Sequence, residues 1–394
     1  MGEHVKAHGM DGSLVSPDWA PLSLAELRAL LCRFPALGEP MEILSASPRP
    51  FSAASLVRAA GGTAFVKRHH RSVRDDEGLR EEHAFLDYLV AHGTAVPRVL
   101  ADRSGETAIE AAEGTYEVHA AAEGVDVYEN AQSWTPFRCA QHARAAGESL
   151  ARLHLAAEGF SAPRRRVRPL VAGFTIFASD DPAVELERYL AARPSIANHA
   201  GVHACAQRAL DLLAPFHAEL APLLPRLSSL WTHNDLHASN LMWSDAGEEA
   251  RVEAIIDFGL ADRTNAVHDL AHAIERNMVD WLSLTNAPDR PDDVTVHFDH
   301  LKALLEGYES VRALTQEEAE ALAPMTALCH AEFALSEADY FLGVLDSEER
   351  ARMAYEGWLV GHAVWFRGAG RRLIEAMEEW ASAHARGGHS EAAR

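Results

Sequence analysis

The sequence predicts an α+β protein: a small antiparallel β-sheet segment with one key helix, followed by a larger, mainly α-helical segment. Three observations predict it. Residues 55–70 read as strand, tight turn, strand ("SLVRAA", "GG", "TAFVKRHH"). After residue 124 the apolar spacing becomes helical, in long stretches such as 139–160, 202–227 and 266–385. The chain has 394 residues, 48% hydrophobic and 24% charged, an ordinary globular composition with room for roughly two or three structural units.

The elements follow in order. Residues 1–21 are mixed and rich in Gly, Pro and Ser, and are expected to be poorly ordered. "SLAELRALLCRF" (23–34) reads as a short helix capped by Ser23 with Glu26 three residues on. The strand pair at 55–70 precedes "RDDEGLREEHAFLDYLVAHG" (74–93), a helix stopped by Gly93 and Pro97. Residues 97–124 supply two or three short strands with turns at Ser104-Gly105 and Glu113-Gly114. The expected divisions are 1–40, an N-terminal extension with a short helix; 41–120, the strand-rich lobe; 121–385, the helical lobe; and 386–394, a frayed polar tail. "RRRVR" (164–168) reads as a solvated loop.

Composition narrows the partners. A formal net charge of −22 repels nucleic acid. Cys32, Cys139, Cys205 and Cys329 are far apart, with no CxxC or Cys/His zinc spacing, which reads as reduced thiols in a cytoplasmic protein. The first residues carry no apolar secretory core, and Lys6 fails the myristoylation pattern. No apolar run approaches the ~18–20 residues of a membrane span. The expected partner is a small molecule, with no nucleic acid and no membrane, for a monomer or homodimer.

The chemistry concentrates in "LWTHNDLHASNLMW" (230–243) and "AIIDFGLAD" (254–262). Phosphoryl transfer from ATP needs a carboxylate to orient the attacking hydroxyl, oxygen ligands for Mg²⁺ and a cation on the other phosphates. The kinase catalytic loop, H-R-D-x-x-x-x-N followed by D-F-G, has the Asp-to-Asn spacing seen from Asp235 to Asn240, and Asp257 opens "DFG". Asp235 is the candidate base, with Asn240 and Asp257 as candidate Mg²⁺ ligands. Any one of them alone could merely cap a loop. The intervening "NLMW", "SDAGEEAR" and "VEAIIDF" read as strand, polar turn and strand.

Such a site also needs a strand lysine and a helix glutamate. Lys67 shares a face with Phe65. From Glu82, positions +3, +4, +7 and +8 are Phe85, Leu86, Leu89 and Val90, which puts Glu82 on an apolar stripe where it needs a cationic partner. Glu81 is the exposed alternative.

With these residues in order, the chain resembles the aminoglycoside phosphotransferase and choline kinase superfamily over roughly residues 41–380. The carriers are "FVK" (65–67), Glu82 before "YLVAHGTAVPRVL", "LARLH" (150–154), "HNDLHASN" (233–240), "IDFGLAD" (256–262) and "HDLA" (268–271). The resemblance implies a bilobal protein-kinase-like fold, catalytic Asp235, metal-binding Asn240 and Asp257, and ATP-binding Lys67 partnered by Glu82. It implies adenine binding along a connector near Glu117–Ala121, through Glu117, Val118 and His119, with Gly124 at the lobe boundary. Two departures stand out. The family usually has Gly where this chain has Asn234, a residue that tolerates unusual backbone angles. No GxGxxG covers the phosphates; "LSASPRPFSAAS" (44–55) offers serines, Ser52 among them, and backbone N–H groups instead.

His233 reads as a loop-holding residue, His154 as packed within the helical lobe, and Asp269 of "HDLA" as a loop anchor or helix cap. No A-P-E segment follows "DFG", which points to a small acceptor rather than a protein. Asp262, Glu275, Asp280, Glu332, Glu337 and Asp339 could meet a substrate ammonium but read individually as exposed helix charges. "ERNMVDWL" (275–282) loosely resembles the homoserine-kinase-like branch. The leading expectation is therefore a Mg·ATP-dependent kinase of an amino alcohol or hydroxy amino acid. An aminoglycoside kinase, a protein Ser/Thr kinase and a non-catalytic nucleotide-binding regulator are the alternatives.

Overall fold

The computed structural model describes residues 6–10, 12–286 and 289–391, with side chains described as far as Arg386. The chain forms two compact units: residues 1–124 with 253–256, and residues 125–252 with 257–394.

The first unit is built around an antiparallel sheet. In chain order it holds β1 (Ala7–His8), β2 (Leu14–Val15), α1 (Leu24–Leu31), β3 (Pro40–Ala46), β4 (Ala53–Ala59), β5 (Gly62–His69), α2 (Asp76–Ala91), β6 (Ile109–Ala111) and β7 (Gly114–Ala120). The five strands pair in the order β3-β4-β5-β7-β6. The β4–β5 turn needs Gly61, because a Cβ there would lie 2.0 Å from the Ala36 carbonyl oxygen. Two-residue alternation sorts the faces of β5. Ala64 and Val66 join Val57, Tyr116 and Val118 in a core closed by Leu27, Leu30 and Leu31 of α1. Phe65 and Lys67 take the opposite face, and Lys67 stands across from Glu117 of β7. His83 of α2 reaches that same Glu117 (Nε2 to Oε2, 2.9 Å), so α2 covers the face that carries Lys67.

The described residues before α1 are more ordered than expected. β1 and β2 pair antiparallel, and the His8 N–H donates to the Pro48 carbonyl (2.9 Å). α1 has the expected capping box, and its Glu26 carboxylate also accepts from the Tyr116 hydroxyl and Arg68 (2.6 Å each). This stretch is thus packed into the first unit, because burial of the leucine stripe of α1 outweighs the loop-like composition before it. Residues 1–5 and 11 lie outside the described residues.

The second unit is mainly helical, and with the first unit's sheet it bears out the α+β class. It contains α3 (Ala140–Ala157), α4 (Pro182–Ala191), α5 (Ala200–Leu220), β8 (Ser229–Thr232), β9 (Leu241–Trp243), β11 (Asp262–Asn265), α6 (Ala266–Met278), α7 (Trp281–Asn286), α8 (Phe298–Glu309), α9 (Gln316–Leu328), α10 (Ala331–Gly343), α11 (Glu348–Arg352), a π-helical stretch (Met353–Val360), α12 (Gly361–Arg367) and α13 (Arg371–Glu391). β10 (Val252–Ile255) has its last three residues in the first unit, within which the Ile255 N–H donates to the Ala95 carbonyl (3.0 Å). The polar turn after β9 is closed by Ser244 N–H on the Arg251 carbonyl (2.9 Å). β8 pairs antiparallel with β11, from Thr232↔Asp262 to Ser229↔Asn265.

α3 and α8 meet backbone to backbone. A Cβ at Gly147 would lie 2.1 Å from the Leu304 carbonyl oxygen, and one at Gly307 would lie 2.1 Å from that of Arg144. α13 runs to Glu391, beyond the expected end of the helical lobe, and the rest of the tail, residues 392–394, lies outside the described residues. No helix among the described residues is long and apolar enough to cross a membrane.

Candidate active site

The loop after β8 is held from below by α6. The Asp269 carboxylate accepts from the N–H groups of His233 (2.8 Å) and Asn234 (2.7 Å) and from His154 Nε2 (3.0 Å). His154 is fixed in turn by the Tyr308 hydroxyl, 2.7 Å from its Nδ1, which the close α3–α8 approach places there. Burial alone would raise Asp269, but the His154 hydrogen bond and its charge outweigh it and hold the carboxyl below its usual range. Asp269 is therefore a loop anchor, and His154 is part of that anchor rather than simple packing.

Asn234 adopts φ 62°, a left-handed conformation that glycine adopts freely and asparagine tolerates. Its Oδ1 accepts from Thr232 (2.8 Å), Thr264 (3.1 Å) and His268 (3.1 Å), and its Nδ2 donates to the Leu260 carbonyl (3.2 Å). Burial lowers His268 to about 3, so it is a neutral imidazole. The Asp235 N–H donates to His233 Nδ1 (3.2 Å), which confirms His233 as a loop-holding residue. Further along, Asn277 grips both sides of the loop: its Nδ2 donates to the Leu236 carbonyl and its Oδ1 accepts from the Ala238 N–H, each at 2.9 Å.

The result is selective exposure. From Trp231 to Leu241 every residue except Asp235 is buried, while the Asp235 side chain is 20% exposed. Asn240 Nδ2 donates to the Asp235 carbonyl (2.9 Å) and lies 3.5 Å from its Oδ2. That orientation leaves the Asn240 carbonyl oxygen to serve a cation. Asp257 is exposed at φ 63° and opens the short 3₁₀ turn Phe258–Leu260. The two supply hard oxygen donors, the chemistry Mg²⁺ requires.

The "DFGLAD" segment is also clamped. Phe258 packs edge-on against His233, with ring centroids 4.7 Å apart. The Arg165 guanidinium donates to the carbonyls of Gly259 (2.8 Å) and Ala261 (3.3 Å), and the Arg165 N–H donates to Asp262 Oδ1 (2.8 Å). "RRRVR" is thus not wholly solvated: Arg165 and Arg168 are buried. Burial pushes Asp262 up to about 6.

The acidic residues expected on exposed helix faces are a second correction. Asp262, Glu275, Glu332, Glu337 and Asp339 are all buried, and Asp280 is half-buried. A Cβ built on Gly173 would stand 3.1 Å from Asp262 Oδ2 and 3.8 Å from Glu332 Oε2, so these two carboxylates converge on one spot. The chain neighbours of Gly173 and Glu332, Ala172 and Phe333, form an apolar cluster with Leu260, and Trp134 packs against it. Burial pushes Glu337 up to about 8, and the charges of Asp235 and Glu275 add to the rise. Glu275, His330 and His362 have the proximity of a metal triad. A guanidinium already occupies the cationic role there: Arg276 Nη1 is 3.2 Å from His330 Nδ1 and 3.6 Å from Glu275 Oε2.

In the first unit, Lys67 is half-buried on β5, Glu82 is buried on the Leu79–Phe85–Leu89 stripe of α2, and the alternative Glu81 is half-buried. Ser52 lies in the loop between β3 and β4. Glu117, Val118 and His119 do not form an open connector. They sit inside β7, where the Val118 carbonyl accepts from Leu100 N–H (2.8 Å) and the Glu117 carboxylate is taken by His69 (2.9 Å), His83 (2.9 Å) and His119 (2.8 Å). The β-branched and aromatic run "TYEVHA" extends the strand to Ala120, and the connecting chain is 121–124.

Arg165, Arg276 and Asn277 were not anticipated. Asp269, Arg276 and Asn277 stand at i, i+7 and i+8, one face of a helix, and that spacing was the available signal.

Comparison with solved structures places the fold. The chain is similar to an amicoumacin kinase (hAmiN; 14% identity, 85% of this chain and 93% of that one, TM-score 0.53). It is also similar to a choline/ethanolamine kinase family protein from Mesorhizobium loti (18%, 91% and 100%, 0.52). A third is a spectinomycin phosphotransferase crystallised with ADP and spectinomycin (11%, 88% and 98%, 0.51). No curated protein matches the chain. The family model described as the phosphotransferase enzyme family matches residues 50–333, most of the chain including the clamped loop, and the chain belongs to that family.

Proposed function

We propose that this phosphotransferase moves the γ-phosphate of Mg·ATP to a hydroxyl of a small, ammonium-bearing molecule, an amino alcohol or a hydroxy amino acid. The observation that carries the reading is the loop in which Asp235 alone of residues 231–241 stands open, on a backbone fixed by Asp269 and Asn277. Such a carboxylate can orient a hydroxyl and accept its proton with little reorganisation. Asn240 Oδ1 and Asp257 hold Mg²⁺, which when bound offsets phosphate charge. In the first unit Lys67, oriented by Glu82, holds the non-transferred phosphates, Ser52 belongs to the phosphate loop, and adenine is assigned to the main chain of 121–124.

The acceptor class rests on Asp262 and Glu332, whose carboxylates converge beside Trp134 and Phe333. An aromatic and anionic lining of this kind suits an alkylammonium. β11 passes into α6 at Ala266, with Asn265 Oδ1 accepting from His268 N–H (2.9 Å), so no activation segment follows Asp262.

The test is ADP release from Mg·ATP across homoserine, threonine, choline, ethanolamine, sugars, aminoglycosides and a Ser/Thr peptide. Turnover confined to the small amino alcohols or hydroxy amino acids supports the proposal. Turnover confined to aminoglycosides or to the peptide replaces the acceptor class.

A further inference from the structure

We propose that Arg276 is the positioning residue for the catalytic carboxylate: it pins Asp235 Oδ1 from the protein interior and leaves Oδ2 to receive the acceptor proton. This inference rests on the assignment of Asp235 as the base.

Arg276 is fully buried on α6, and its Nε lies 3.3 Å from Asp235 Oδ1. The guanidinium is immobilised independently of that contact. Its Nη1 donates to His330 Nδ1 (3.2 Å) and lies 3.6 Å from Glu275 Oε2. The guanidinium carbon stands 4.4 Å from the Phe333 ring centroid and 5.0 Å from that of Trp134. Burial leaves His362 neutral, at about 3, so Arg276 is the fixed cation of the cluster. A buried guanidinium must be paired, and two carboxylates do so, Asp235 at Nε and Glu275 at Nη1. The planar fork is what allows one group to face His330, Glu275 and Asp235 while stacking on two rings; a lysine ammonium is a single flexible point charge.

The two oxygens of Asp235 are therefore inequivalent. Oδ1 faces a guanidinium that the surface does not reach. Oδ2 lies 3.5 Å from Asn240 Nδ2 and 3.6 Å from His237 Nε2, neither of which is close enough for a strong hydrogen bond. His237 is itself held by Ser239 Oγ on its Nδ1 (2.9 Å). The proton of the acceptor hydroxyl passes to Oδ2 as the oxygen–phosphorus bond forms and the bond to the leaving ADP oxygen breaks. With Arg276 removed, Oδ1 loses the contact that holds it from the interior, and misplacement of a base by even an ångström costs on the order of 100-fold in rate.

The experiment is a kinetic double-mutant cycle with Arg276→Met, Asp235→Asn and the double variant, each checked for folding by circular dichroism. The expected result is a fall in kcat of about 100-fold for Arg276→Met with the KM for ATP changed by less than about twofold, and no further loss when it is added to Asp235→Asn. Equal losses in both backgrounds mean a packing role only and overturn the proposal, as does an unimpaired Arg276→Met. Should Arg276→Met not fold, Arg276→Lys keeps charge and stem while losing the fork; a fall of about tenfold, absent in the Asp235→Asn background, is expected, and wild-type kcat overturns the proposal. Full activity of Asp235→Asn alone would reject the underlying base assignment, a separate outcome.

Discussion

Asn234 separates what a side chain and a backbone each contribute to the catalytic loop. Replacing it by Gly keeps the left-handed angle of φ 62° free of strain but removes every side-chain hydrogen bond. The Thr232 and Thr264 hydroxyls retain each other, and Thr232 keeps the Asp262 carbonyl (3.2 Å). The groups left without a partner are the buried His268 Nδ1–H and the Leu260 carbonyl. At about 1–3 kcal/mol for each of these two unsatisfied groups, Asn234→Gly should cost about 2–6 kcal/mol. Asn234→Ala loses the same bonds and also places a Cβ in the left-handed region, at about 1–2 kcal/mol. The stiffer unfolded chain of the Ala variant returns about 0.4–1 kcal/mol. Gly should therefore be the more stable replacement by about 1 kcal/mol, with both well below wild type. Urea unfolding midpoints at a common m-value measure this. A Gly variant as stable as wild type, or an Ala variant more stable than Gly, would refute the reasoning.

Other perturbations have equally definite outcomes. Asp269→Asn removes the buried charge that His233, Asn234 and His154 address, and should destabilise the protein by about 3–5 kcal/mol in urea unfolding while lowering kcat; a cost under about 1 kcal/mol would contradict the anchor. Glu337 has a folded value of about 8 against an ordinary 4.5, so its contribution to stability is full below pH 4.5 and is lost as pH rises through 8. Glu337→Gln should then melt progressively higher than wild type between pH 5 and 8.5, on the order of several °C at the alkaline end; a pH-independent difference would show that burial does not hold this carboxyl protonated. Lys67→Met should weaken ATP binding by about 10–100-fold, the worth of one charged hydrogen bond, in equilibrium dialysis; unchanged affinity would remove Lys67 from the phosphate site.

Much of this is legible in the sequence. The capping box at Ser23 and Glu26, the strand pair around Gly61 and the helix bearing Glu82 are local signals, and each forms within a residue or two of its expected place. Asn234 was readable because a left-handed position admits few residues, and Asn is one of them. What the sequence hid was burial of charge. Glu275, Glu332 and Glu337 look like solvated helix residues because what accounts for their burial, His330 and His362 beside Glu275, the Thr175 and Ile176 N–H groups on Glu332 and the raised carboxyl value of Glu337, comes from distant segments or from desolvation itself. Arg165 was hidden the same way, since its carbonyl partners Gly259 and Ala261 lie almost a hundred positions away. The stretch expected as an open connector is strand instead: β7 runs to Ala120, and Glu117, Val118 and His119 pair across it with β5.

The most direct test of the central claim compares wild type with Asp235→Asn in two measurements on the same preparation, the dissociation constant for Mg·ATP and the rate of ADP release with the best acceptor. The expected result is an ATP affinity within about twofold of wild type and a rate lower by about 10²–10⁴-fold, the range for removal of a positioned general base. A variant that binds ATP equally well and turns over at the wild-type rate would show that Asp235 is not the base, and that the exposed carboxylate at the tip of this clamped loop has another role.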